Sequence, residues 1–145
     1  MAVDVHGPID FLLIEFPGDR LTGTTARALM DLVDRGLVRI FDLLVIGKNP
    51  DGSVAMLDLE SPTAAELGGF AEFAGARSGL LGGEDVHEAA AAMRPDTVAA
   101  LIVYENTWAV PFVAAARENG GEVVASARIP ATDVMDALDA LDATV

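Results

Sequence analysis

Val38 to Lys48 reads VRIFDLLVIGK, and Asn49-Pro50-Asp51-Gly52 separates it from Ser53 to Leu59, SVAMLDL. Two apolar runs around a Pro/Gly/Asn turn predict a β-hairpin. A strand with one wet face alternates apolar and polar residues. Leu43, Leu44, Val45 and Ile46 instead follow one another without a break. This strand is therefore expected to be dry on both sides, and the same pattern recurs elsewhere. In Ile9–Phe16 (IDFLLIEF), Phe11 and Leu13 oppose Leu12 and Ile14. In Thr97–Tyr104 (TVAALIVY), Ala99, Leu101 and Val103 oppose Ala100, Ile102 and Tyr104.

Around these strands the sequence places helices. Thr24 or Thr22 can cap one that runs to about Arg35 and stops at Gly36. Ser61 and Pro62 open a Gly/Ala-rich segment, residues 61–85, expected as a helical insertion: a helix over Thr63–Ala74, a break over Gly75–Gly83, and a short helix over Asp85–Met93 before Pro95. Trp108–Asn119 is expected to be helical and closed by Gly120-Gly121. Glu122–Ile129 is expected as a fifth strand, and Pro130 to about Leu141 as a last helix with Val134, Leu138 and Leu141 facing inward. The order matches an α/β (α+β) fold with a ferredoxin-like β-α-β-β-α-β core, extended by a C-terminal α-β-α. Residues 9–145 form one domain behind a flexible leader, residues 1–8. If helices cover one face of the sheet, the other still needs a cover. A second copy of the chain is the expected lid, with the glycine-rich segment as the alternative.

Composition narrows the function. The 145 residues carry 9 basic and 23 acidic side chains, a net charge of −14. Such a surface repels nucleic acid, which is bound through clustered lysines and arginines, and anionic membranes. No apolar run is long enough to span a bilayer, and the opening residues, which read MAVDVHGPID, are not expected to be an export leader. A cytoplasmic location is expected. There is no cysteine, so disulfides and thiolate metal sites are unavailable.

Several residues qualify as candidate sites. Ala71, Gly75, Gly79 and Gly83 recur at every fourth position and would line one edge of a helix, a groove for close packing in an oligomer. Glu105, Asn106 and Trp108 lie where a strand turns into a helix, a usual place for ligand groups in α/β sheets. Capping by Asn106 or Thr107 and anchoring by Trp108 are the ordinary alternatives. Glu15, if close to Glu105, would make a carboxylate pair able to do acid–base work or hold a cation. His6 and His87 have no partner at metal-ligand spacing, and Asp133, Asp136, Asp139 and Asp142 read as a solvated helix side. No catalytic residue, metal site or cofactor is expected.

Taken together, Gly7-Pro8-Ile9-Asp10 leading into LLIEFPG, LVDRGLVRIFDLLVIGK with PDGS, Tyr104-Glu105-Asn106-Thr107-Trp108, and Gly120-Gly121 through ARIP resemble the bacterial domain of unknown function 6325 over nearly the whole chain. The layout is also similar to domain of unknown function 1269, whose members have a longer glycine-rich insertion and are often labelled membrane-associated or stress-related. The equivalent segment here is shorter and charged. The resemblance implies the architecture and assigns no catalytic residue. The expected function is a non-enzymatic homo-oligomeric component, structural or stress-associated; a small-ligand-binding module with a pocket near the end of the fourth strand is the alternative.

Overall fold

A computed structural model describes residues 6–17, 23–60, 69–122, 124–125 and 129–143. Its strands are β1 (Ile9–Pro17), β2 (Arg39–Lys48), β3 (Val54–Leu57) and β4 (Thr97–Glu105). Its helices are α1 (Thr24–Asp34), α2 (Gly83–Ala92), α3 (Val110–Glu118) and α4 (Ala131–Ala143). The strands form one antiparallel sheet in the order β1-β4-β2-β3. β4, last in sequence, thus lies between β1 and β2, the two strands that α1 connects.

The two central strands are dry on both sides, as their unbroken apolar runs require. On one face Leu44, Ile46, Ala99, Leu101 and Val103 pack beneath Ala89 of α2, Met93 just past its end, and Leu81. On the other, Leu43, Val45, Ala100 and Ile102 pack beneath Ala26, Leu29 and Met30 of α1 and beneath Phe70 and Phe73. This corrects the expectation that a second copy supplies the missing lid. Both faces are roofed within the chain, the second by α1 together with two phenylalanines of the glycine-rich segment.

That segment is not the helix expected. Residues 61–68, including the Ser61 cap and most of the helix drawn over Thr63–Ala74, lie outside the described residues. Phe70–Phe73 is a single 3₁₀ turn. Ala76 and Arg77 then run beside β2, where Leu43 N–H donates to the Ala76 carbonyl at 3.0 Å. Gly79 takes a left-handed φ of 86°, a conformation open to glycine but strained for other residues. Glu122–Ile129 also departs from expectation. Glu122, Val124, Ala125 and Ile129 belong to no strand, and Val123 and residues 126–128 lie outside the described residues. α4 forms, but none of its residues is buried. The helix periodicity was correctly legible, while the inward-facing stripe found no inner surface in its own chain.

Local chemistry explains where the elements stop. α1 ends on Gly36, at φ 71°, with Gly36 N–H donating to the Val33 carbonyl and Leu37 N–H to the Leu32 carbonyl. This is the paired closure that a left-handed glycine permits. The helix starts behind Gly23, not at a threonine side-chain cap; Thr22 lies outside the described residues. In the β2–β3 turn, Asp51 accepts from the Ser53 hydroxyl at 2.6 Å and its N–H at 2.9 Å. Those bonds hold its carboxyl below the usual aspartate range, the hydroxyl contributing most.

Lys48, the single lysine of the chain, has a structural task. Its Nζ donates to the carbonyls of Ala90 at 2.8 Å and Met93 at 3.0 Å. A cation at a helix C-terminus satisfies carbonyls left without partners and opposes the negative end of the dipole. It also ties α2 to the sheet it covers. Replacing Lys48→Met is expected to lower the unfolding free energy by about 1–2 kcal/mol in urea titrations. An unchanged midpoint would show that the end of α2 does not depend on this cation.

Candidate functional site

The end of β4 gathers three of the residues singled out from the sequence. Glu105 is only 3% exposed. Its Oε2 accepts the Gly7 N–H at 2.8 Å, and the His6 Nδ1 lies 3.9 Å away. Asn106 closes the same corner. Its backbone N–H and Nδ2 both donate to the Pro8 carbonyl at 2.8 Å, and Nδ2 also donates to Asp10 Oδ2 at 3.0 Å. Gly7 is required here, because a Cβ would overlap the Asn106 carbonyl. Residues 6–8 are therefore docked and not a loose leader; residues 1–5 lie outside the described residues. On the other side, Thr107 Oγ1 donates to the Gly36 carbonyl at 2.9 Å and Trp108 N–H to the Leu37 carbonyl at 3.2 Å. The corner is a clasp joining the N-terminal segment, the α1–β2 loop and the start of α3. Trp108 Nε1 reaches Asn106 Oδ1 at 3.3 Å, yet 61% of Trp108 remains exposed, as does 76% of the neighbouring Phe112.

Glu15 is not part of this corner. Ile9 pairs with Glu105 and Glu15 with Ala99, so the two carboxylates sit six residues apart along the ladder, about 20 Å. Glu15 Oε2 accepts the Arg94 N–H at 2.7 Å and the Thr97 hydroxyl at 3.2 Å. It fastens the α2–β4 connection and cannot share a proton or a cation with Glu105.

The buried carboxylate that the sequence reading passed over is Asp42, 1% exposed. A bulge between Ile40 and Asp42 in the β2–β4 pairing turns it toward the α2 face. Its Oδ2 accepts the Leu81 N–H at 2.9 Å, while Oδ1 accepts no hydrogen bond and lies 3.7 Å from Arg77 Nε. Its signal was present: it is the one acid of β2, set in the apolar run from Ile40 to Ile46. Asp42 holds down the loop that carries Leu81 into the core.

Ala71, Gly75, Gly79 and Gly83 do not line one helix edge. They fall in the 3₁₀ turn, in the connection after it, at the left-handed Gly79 and in the first turn of α2. A concavity runs along α1 instead. A cavity of about 640 Å³ lies between Met30 and Val33 of α1, Ile40 of β2 and Phe73, and reaches Thr107. A second, of about 320 Å³, continues it past Arg27 and shares Met30 and Glu72. Glu105, Asn106 and Trp108 line neither. Among the described residues no group of three or more His, Cys, Asp or Glu side chains is placed to hold a metal ion, and no helix is long and apolar enough to cross a membrane.

The clasp has a measurable consequence. Glu105→Ala leaves the buried Gly7 N–H without its acceptor, and is expected to cost about 1–3 kcal/mol of stability and to speed amide exchange at Gly7. Glu105→Gln keeps an acceptor oxygen and is expected to lose less. Unchanged Gly7 exchange in Glu105→Ala would refute the clasp.

No curated protein and no solved structure is found to match the chain. A family model does match residues 5–145, described as a family of unknown function, DUF6325. That match spans both the clasp and the groove along α1, and the chain belongs to this family.

Proposed function

We propose that the protein is a non-enzymatic, homo-oligomeric component of the cytoplasm, structural or stress-associated. The observation that carries this reading is apolar surface outside the core: Ile9, Phe11, Trp108 and Phe112, and Val134, Met135 and Leu138 on α4, are all exposed. Single exposed apolar residues are ordinary, whereas whole apolar faces mark contact surfaces. The polar groups of the clasp, with Glu15, support the same reading, because each holds one segment of the chain against another. The stress-associated part rests on the resemblance of the layout to domain of unknown function 1269. We read the fold as a relative of the ferredoxin-like arrangement, supported by the split unit in which β4 lies between β1 and β2.

The groove along α1 favours a second reading, a small-ligand module. Its 640 Å³ falls within the range of small-molecule sites, about 300–1,000 Å³, and it lies beside Thr107, just past the fourth strand. Light scattering at micromolar concentration is expected to give a dimer or larger; a monomer alone would overturn the oligomeric reading. A thermal-shift screen of metabolites tests the alternative. A ligand that stabilises the protein, and stabilises it less in Val33→Asp, would favour a pocket over an interface.

A further inference from the structure

We infer that the groove along α1 receives α4 of a second copy of this chain, in a reciprocal exchange of C-terminal arms. The inference deepens the homo-oligomeric reading and rests on it.

α4 is a helix in want of a surface. All 13 residues are exposed, yet an isolated helix of that length is marginal in water and gains most of its stability from packing. It contains no basic residue, so no ion pair within it compensates. Asp139 and Asp142 sit near its C-terminus, where negative charge opposes the dipole. Its apolar side chains Val134, Leu138 and Leu141 keep the i, i+4, i+7 spacing of a helix that packs along one stripe.

The groove fits that stripe in length and in charge. Its α1 wall runs from Ala26 through Met30 to Val33, the same i, i+4, i+7 spacing, and each stripe covers about 10 Å of helix axis. Among the described residues two arginines, Arg27 and Arg39, line the groove against one acid, Glu72; the Arg39 guanidinium also lies 5.2 Å from the Phe41 ring. The cavity between β1 and α2 carries Asp85 and Glu88 and, among the described residues, no base. The one beside β3 carries Asp58 and Glu60 against Arg77. A helix bearing Asp133, Asp136, Asp139 and Asp142 is repelled by both and drawn to the groove along α1. A second copy is the occupant because each chain leaves its own arm in solvent. Exchange between two copies closes with two-fold symmetry and buries both arms at once.

The absence of native cysteine makes the test clean. Full-length Met30→Cys and Leu138→Cys chains, one of them isotopically labelled, are mixed and treated with a short bismaleimide. The expected product is a mixed cross-linked dimer. Leu138→Asp, an exposed position, is expected to raise the concentration of half-dissociation by about tenfold or more, with any loss of far-ultraviolet ellipticity no larger than the 13 residues of α4 account for. A full-length chain that is monomeric overturns both the oligomeric reading and this inference. An oligomer that Leu138→Asp leaves intact, with no mixed cross-link, overturns the exchange alone. Cross-linking confined within one chain of the Met30→Cys/Leu138→Cys double variant overturns it too, because the arm then closes on its own groove.

Discussion

β2 and β4 run side by side through the middle of the sheet with apolar side chains on both faces, and everything else in the fold answers to that. Leu43, Ile46, Leu101 and Ile102 are all but fully buried, and each such side chain is worth about 1.5–3 kcal/mol relative to exposure. A single layer of helices cannot satisfy two dry faces. The chain therefore divides its cover: α2 with Leu81 on one side, α1 with Phe70 and Phe73 on the other. The outer strands are less demanding. β1 keeps Ile9 and Phe11 half exposed, and β3 keeps Val54 and Met56 so, which is tolerable only because they are edges.

Covering elements must also be held in place, and polar residues on the strands do this. Asp42 fixes the loop bearing Leu81, Lys48 fixes the end of α2, Glu15 fixes the connection into β4, and Glu105 with Asn106 fixes the N-terminal segment. In each case a side chain bonds to backbone groups of another segment; for Asp42 and Glu105 the N–H so satisfied is buried and would otherwise lack a partner. These residues resemble a scattered active site when read along the sequence. In space they are separate fastenings, each facing a different connection.

The two-sided strands, the hairpin turn at Asn49–Gly52, the Gly36 stop and the existence of α4 were legible in the sequence because local patterns specify them. Other features depend on distant partners. Nothing local shows that Phe70 and Phe73 reach across to α1, so the roof over the second face was assigned to another molecule. Glu15 and Glu105 looked like a possible pair because both stand near strand ends; only the antiparallel register shows that they are opposite ends. The four spaced small residues promised a helix edge, but glycine costs about 1 kcal/mol per residue in a helix interior, and the described part of that stretch follows its glycines into turns. Asp42 was missed because a lone acid in a strand reads as a bulge or an edge until its burial is known.

The problem first posed by the sheet, apolar surface without a cover, is solved at the sheet and reappears on the C-terminal arm. Two copies each carrying −14 repel one another at long range, although at physiological ionic strength that repulsion is screened beyond about 8 Å. Association between such chains has to be won at contact distance, by apolar side chains ringed with locally opposed charge. The α1 groove meets both demands: Met30, Val33 and Ile40 offer apolar walls, and Arg27 and Arg39 offer positive charge in a chain that has little of it. The acidic side of α4 then has a role that solubility alone does not give it. In the inferred exchange it would disfavour the acidic cavities and favour the groove where, among the described residues, arginines outnumber acids.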